Sequence, residues 1–174
     1  MFPILETERL IFRELTEYDA LDIFNCFSNE DVLRYYGQNP LTSIDQVKHI
    51  VRNFSKNYNE KRSIKWGIEM KGTAGIIGTI GFQEWSPEHK RADISYALFP
   101  EHWGNGFATE AVSKVISYGF KELGLMRIGA VVFVENKASN KLLIKLGFVK
   151  EGILRNYMYQ NNRPFDTNIY SLLK

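Results

Sequence analysis

The 174-residue sequence has a single cysteine, Cys26, so no disulfide can form within the chain. Cys26 falls in DALDIFNCF with no cation nearby to hold a thiolate, and it is expected to pack rather than react. Histidine is as scarce: His49, His89 and His102 are scattered, no Cys/His cluster has zinc spacing, and no metal is expected. No apolar run reaches the roughly 18 residues of a membrane span. The amino terminus, MFPILETERL, has early acidic residues and no apolar signal core, so a cytoplasmic protein off the membrane is the expectation. Charge of one sign is missing too. The 22 basic and 20 acidic residues leave +2, spread without a basic run for nucleic acid or an acidic tail. A serine hydrolase is excluded for want of G-x-S-x-G. There is no linker, internal repeat or low-complexity segment.

What is present fits one globular domain, residues 1–174, long enough to bury about 70% of its unfolded surface. The hydrophobic fraction is 44%, the charged fraction 24% and the aromatic fraction 14%. Residues 4–15 read as a first strand. Thr16 with Asp19 caps a helix carrying Ala20, Ile23, Phe24 and Phe27 on one face. A short segment, 31–36, stops at Gly37, and Ser43-Ile44-Asp45-Gln46 is a capping box for a helix with Val47, Ile50, Val51 and Phe54 inward. The period then changes to two. Residues 65–70, 76–85 and 91–99 form an antiparallel meander, with Gly72, Gly75, Gly78 and Gly81 marking bulges or close backbone approach. A helix stopping at Gly124, an apolar strand 126–134, a helix capped by Asn136, and strands 148–154 and 169–173 around a polar loop, 160–164, complete the chain. The order β-α-α-β-β-β-α-β-α-β-β specifies an α/β (α+β) mixed sheet, mostly antiparallel, flanked by helices. The strands either side of the glycine-turn helix should be parallel neighbours.

The segment 99–111, FPEHWGNGFATEA, organises the rest. A strand runs into Gly104-Asn105-Gly106, and an amphipathic helix with Ala108, Val112, Val115 and Gly119 follows. Free N–H groups and the dipole at a helix start favour an anion, and glycine lets a phosphate approach closely. A dinucleotide-binding oxidoreductase is the enzyme rival, but Thr109 stands at the third glycine position and no acidic residue closes the next strand.

With these motifs the chain resembles the GNAT acyltransferase superfamily, which uses acetyl-CoA. Gly106 and Ala108 match its pyrophosphate loop, while Trp103 stands where Arg or Gln is usual. Trp103, the Glu110-Ala111 pair and the opening ETERLIFRELTEYDA look like the RimJ/RimL branch, which acetylates amino groups including protein N-termini. Asn136-x-x-Ser139 and Leu146-Gly147-Phe148 match the second helix and following strand.

The resemblance implies a sheet splayed between the strands 92–99 and 126–134, numbered four and five in the order above, with the pantetheine arm in the V. Trp103, Gly104, Asn105, Gly106, Phe107, Ala108 and Thr109 would hold the diphosphate, the backbone of Ala97, Leu98 and Phe99 would pair with pantetheine amides, and Asn136 would bond the arm or simply cap its helix. Lys141, with Lys137, would meet the 3′-phosphate. Asp93 stands where several relatives carry a catalytic glutamate and is the expected base through a water, with Glu84 the alternative. Leu143 replaces the tyrosine many relatives use as acid, and Ser139 matches the serine of RimL-type members. A backbone N–H near Ala97 or Leu98 would hold the oxyanion.

The partners expected are acetyl-CoA and a primary amine. A protein or peptide N-terminal α-amine, ribosomal proteins included, is favoured over a polyamine, amino acid or antibiotic. A non-catalytic acyl-CoA sensor is the different-class rival, and a homodimer stays open beside a single copy. The acceptor is expected between residues 29–41, including Tyr35 and Tyr36, and a loop at 155–166 carrying Tyr157 and Tyr159.

Overall fold

The computed structural model describes all 174 residues. The first strand is two, β1 (Leu5–Glu6) and β2 (Leu10–Glu14), folded antiparallel on each other. The break has a local cause: the Thr7 hydroxyl accepts from the Leu10 N–H at 3.0 Å while the Thr7 N–H donates to the Leu10 carbonyl. After β2 the expected cap forms, with Asp19 accepting from the Thr16 N–H at 2.9 Å ahead of α1 (Ala20–Ser28). Asn29 caps α2 (Glu30–Leu33) through the Asp31 and Val32 N–H groups. Gln46 accepts from the Thr42 and Ser43 N–H groups at the start of α3 (Asp45–Asn59).

The meander is β3 (Ile64–Met70), β4 (Ile76–Ser86) and β5 (Arg91–Leu98). A Cβ on Gly78 would meet the Ala97 carbonyl and one on Gly81 the Ile64 carbonyl, so these two glycines mark close backbone approach. Next come α4 (Phe107–Lys121), β6 (Arg127–Phe133) and α5 (Lys137–Lys145). The last two strands are longer than the sequence indicates: β7 (Val149–Gln160) and β8 (Arg163–Leu173) form a hairpin through the expected loop. Asn161 and Asn162 both take positive φ, +51° and +58°, as a two-residue hairpin turn requires, and Asn156 at +52° sits in a bulge that breaks the alternation.

The eight strands make one sheet in the order β1-β2-β3-β4-β5-β6-β8-β7. Its only parallel pair, β5 with β6, has three rungs, Arg91 with Arg127, Ala92 with Ile128 and Asp93 with Gly129. Beyond Asp93 the strands part, which is the expected splay. The larger core lies under α4 and α5, with Trp66, Phe82, Val112, Val115 and Leu143 fully buried; a smaller one under α1–α3 holds Leu15, Ile23, Phe27, Leu33, Val47 and Val51. Cys26 is buried, and burial pushes its thiol up to about 12. No helix is long and apolar enough to cross a membrane.

One ion pair carries a stability prediction. Arg13 donates to both Asp19 oxygens, at 2.9 and 2.7 Å, and to Glu69 at 2.7 Å, and Asp19 is 5% exposed. Burial alone would raise the Asp19 carboxyl, but Arg13 and the Thr16 N–H outweigh it and hold it below its ordinary value. Arg13→Ala should therefore cost about 3 kcal/mol at neutral pH, the low end for a broken buried pair because Arg13 keeps some water contact. A depressed folded-state pKa stabilises above the unfolded value near 4 and is lost as pH falls through the folded one, so the deficit should shrink in acid. Urea unfolding at pH 7 and pH 3 checks both the size and the trend.

Candidate active site

The site begins with the hydrogen-bond parity of β5. The Phe99 N–H donates to the Ile77 carbonyl at 2.9 Å, so alternation turns the polar backbone groups of Phe99, Ala97 and Ser95 toward β4. Those of Tyr96 and Leu98 face the opening V. Of the expected Ala97, Leu98 and Phe99, only Leu98 therefore turns its polar backbone groups toward the split, with Tyr96 beside it. The Leu98 carbonyl already accepts from the Trp103 indole at 2.9 Å, leaving the Leu98 N–H as the donor aimed into the split. Trp103 thus fastens the glycine loop to the end of β5.

Gly104 and Gly106 take φ of +75° and +80°, and Gly106 is the N-cap of α4. The Glu110 N–H reaches back to the Gly106 carbonyl at 3.0 Å, so the N–H groups of Phe107, Ala108 and Thr109 have no partner inside the helix. The two RimL-like motifs meet here. Arg9 donates from Nε to Glu110 at 2.7 Å and from Nη1 to the Asn105 carbonyl at 2.9 Å, and its guanidinium lies 4.4 Å from the centre of the Phe107 ring. The Thr7 hydroxyl adds a 2.6 Å bond to Glu110. Arg9 thereby offsets an acid one helical turn from the anion cradle and pins the loop from below. The sequence shows both motifs, but nothing in it shows that they touch across 101 residues.

A cavity of about 850 Å³ runs from this loop through the V to α2. Ala97, Leu98, Trp103, Gly104, Gly106, Phe107, Ala108, Thr109, Asn136, Ser139 and Lys141 all line it, with Lys145 one turn beyond Lys141 on α5. Phe99 and Asn105 do not: Phe99 lines a separate cleft with Asp22 and Glu101, and Asn105 donates to the Trp103 carbonyl at 3.2 Å. Asn136 accepts from the Ser139 N–H at 3.2 Å, so its Oδ1 is the helix cap.

Leu143 is fully buried and offers no acid. A tyrosine hydroxyl enters from another element, since the Tyr96 hydroxyl lies 2.9 Å from Ser139 Oγ. Burial raises the Tyr96 hydroxyl, with the bond to Ser139 acting the other way. No spacing in the sequence points to this pair.

Asp93 stands at the last β5–β6 rung and is not among the lining residues, although its register partner Gln83 is. Its carboxylate lies where a Cβ of Gly129 would be. Burial raises its pKa, Arg91 and Arg127 pull it back in part, and Glu84 adds to the rise. Glu84 itself is exposed, at φ +50° in the β4 bulge.

At the end of the cavity near α2, where the acceptor is expected, Tyr35, Tyr36, Gln83 and Met158 line it. Tyr157 and Tyr159 do not; they alternate with Met158 along β7 and are 55% and 68% exposed. Gln160 ties the hairpin to this lobe, donating to the Leu33 carbonyl at 2.7 Å and accepting from the Gly37 N–H at 2.9 Å. Asp31 is the only acidic lining residue, and Arg34 holds it at 2.9 Å. No group of three or more His, Cys, Asp or Glu side chains could hold a metal ion.

A model of the acetyltransferase (GNAT) domain matches residues 9–149. The uncharacterized N-acetyltransferase YoaA of Bacillus subtilis (strain 168) is 59% identical over 174 residues, covering 100% of this chain and 98% of that protein. Among solved structures, spermidine N-acetyltransferase from Vibrio cholerae in complex with CoA and spermine superposes with a TM-score of 0.86 at 27% identity, covering 96% of each chain. RimL, the ribosomal L7/L12 alpha-N-protein acetyltransferase in complex with coenzyme A, shares the fold with a TM-score of 0.88 at 20% identity, covering 98% of each. The chain thus shares its fold with enzymes crystallised on CoA, and it belongs to the GNAT family of acyl-CoA-dependent N-acetyltransferases.

Proposed function

We propose that the protein transfers the acetyl group of acetyl-CoA to the α-amine of a protein or peptide N-terminus, by direct attack in a ternary complex. The observation that carries this reading is the charge of the acceptor lobe. Its only acid, Asp31, is shared with Arg34, so the lobe offers a polycation such as spermidine no cluster of carboxylates. The open aromatic lobe of Tyr35, Tyr36 and Met158 suits the first residues of an extended peptide.

In this reading the N–H groups of Phe107, Ala108 and Thr109, with Lys141 and Lys145, receive the phosphates, and the edge of Tyr96 and Leu98 receives the pantetheine amides. Asp93 draws the amine proton through a water, and its raised pKa makes it a stronger base than an ordinary carboxylate. An α-amine, with a pKa of about 8 against about 10.4 for lysine, is within easier reach of such a base. The Leu98 N–H bonds the oxyanion. As the C–S bond breaks, Ser139 with Tyr96 behind it presents a hydroxyl to the leaving sulfur.

Competitive acetylation, read by thiol release, tests the assignment. Matched peptides with free and blocked N-termini, spermidine and an aminoglycoside are the acceptors. The free N-terminus should react fastest. Faster turnover of the N-blocked lysine peptide or of either small amine overturns the reading, and CoA binding without turnover of any acceptor would leave a sensor module.

A further inference from the structure

Lys65 on β3, Gly81 on β4 and Ser95 on β5 lie in register on neighbouring strands. Gly81 has no side chain, so the Lys65 chain crosses β4 and reaches β5. Its Nζ donates to Ser95 Oγ at 3.1 Å and to the Tyr36 hydroxyl at 3.2 Å. Lys65 is half-buried and takes part in none of the chain's ion pairs. An ammonium only donates, so both hydroxyls must accept from it, and each keeps its own proton to give away. Tyr36 and Ser95 line the cavity. The acceptor lobe therefore offers two O–H donors polarised by a cation, which is a receptor for an anion.

We infer that Tyr36 and Ser95, backed by Lys65, form a subsite for a carboxylate, and that the acceptor is a peptide with aspartate or glutamate close to its N-terminus. This inference rests on the α-amine reading above. Ser95 stands three residues along β5 from Leu98, about 10 Å at the strand rise, which places the carboxylate on the second or third residue of an extended peptide. The same cation disfavours a protonated amine nearby and so eases its deprotonation.

The test uses peptides beginning with serine and carrying Asp, Asn or Lys at positions 2 and 3, with free aspartate and spermidine beside them. Wild-type kcat/KM should favour the Asp peptide over the Asn peptide by about tenfold or more, as for a charged hydrogen bond, with the Lys peptide lowest. Lys65→Met should bring the Asp-to-Asn ratio close to one, and Lys65→Arg should keep most of it. CoA titration of each variant reports whether the cofactor half is intact. If Lys65→Met does not fold, the double variant Tyr36→Phe with Ser95→Ala gives the same readout. Equal wild-type rates on the Asp and Asn peptides, or a ratio that survives both sets of variants, would reject the carboxylate subsite while leaving the α-amine reading standing. Free aspartate outpacing every peptide would keep the subsite and reject the peptide. Spermidine outpacing them all would reject the α-amine reading and this inference with it.

Discussion

Gly106→Val should weaken acetyl-CoA binding by about thirtyfold or more. The cause is backbone conformation rather than crowding. A Cβ at Gly106 would have Arg9 Nη2 at 3.4 Å as its only near neighbour, but the residue sits at φ +80°. A left-handed conformation costs an ordinary L-residue about 1–2 kcal/mol, and a β-branched one more. The variant will escape that strain by rotating the loop, which turns the N–H groups of Phe107 and Ala108 away from the diphosphate. Isothermal titration with acetyl-CoA measures the loss. Affinity within threefold of wild type would remove the diphosphate from this turn, and a ligand-free melting temperature close to wild type would show that the loop alone has changed.

The second large effect is on chemistry. Asp93→Asn should lower kcat/KM by about 100-fold, in the range for losing a general base, with little change in acetyl-CoA affinity because Asp93 does not line the cavity. The pH profile distinguishes a base from a strand residue. Burial against β6 raises the Asp93 carboxyl, so in wild type it becomes a proton acceptor only above a pKa higher than an ordinary carboxylate's. Activity should climb with pH through that raised value and lose this acidic limb in the variant. A variant that keeps both rate and limb would pass the role to Glu84, next to the cavity-lining Gln83 and open to water.

The parts of this molecule legible in its sequence are those set by local pattern. The meander, the capping residues Thr16, Gln46 and Asn136, and the turn at Gly104 and Gly106 follow from period, side-chain chemistry and the need for positive φ. Most of the residues that line the cavity around this turn are therefore readable from the sequence, Phe99 and Asn105 excepted. What escapes is what depends on pairing between distant segments. The full length of the β7–β8 hairpin hides because its turn is Asn-Asn rather than a glycine pair and because the bulge at Asn156 flips the alternation. Parity along β5 decides that Leu98 and not Ala97 faces the split, and it is fixed by one bond from Phe99 to Ile77. The Tyr96–Ser139 and Lys65–Ser95 contacts join residues on different elements, which no one-dimensional spacing can announce. The lobe around Tyr36 is the least legible region because it is assembled from such contacts, Lys65 with Tyr36 and Ser95 and Gln160 with Leu33 and Gly37, rather than from a motif.

The three-rung seam between β5 and β6 has a consequence for the protein's life outside catalysis. Past Asp93 the split leaves Tyr96 and Leu98 with polar backbone groups that no strand covers, an unprotected border in the middle of a sheet. Such borders invite pairing with other chains. A pantetheine arm laid along this one would act as a missing strand, and co-substrate binding would then stabilise the fold. Saturation at a hundred times Kd adds about 2.7 kcal/mol to the folded state. The stability of the folded enzyme would then rise with the acetyl-CoA concentration, and the border would be guarded only while the arm lies on it.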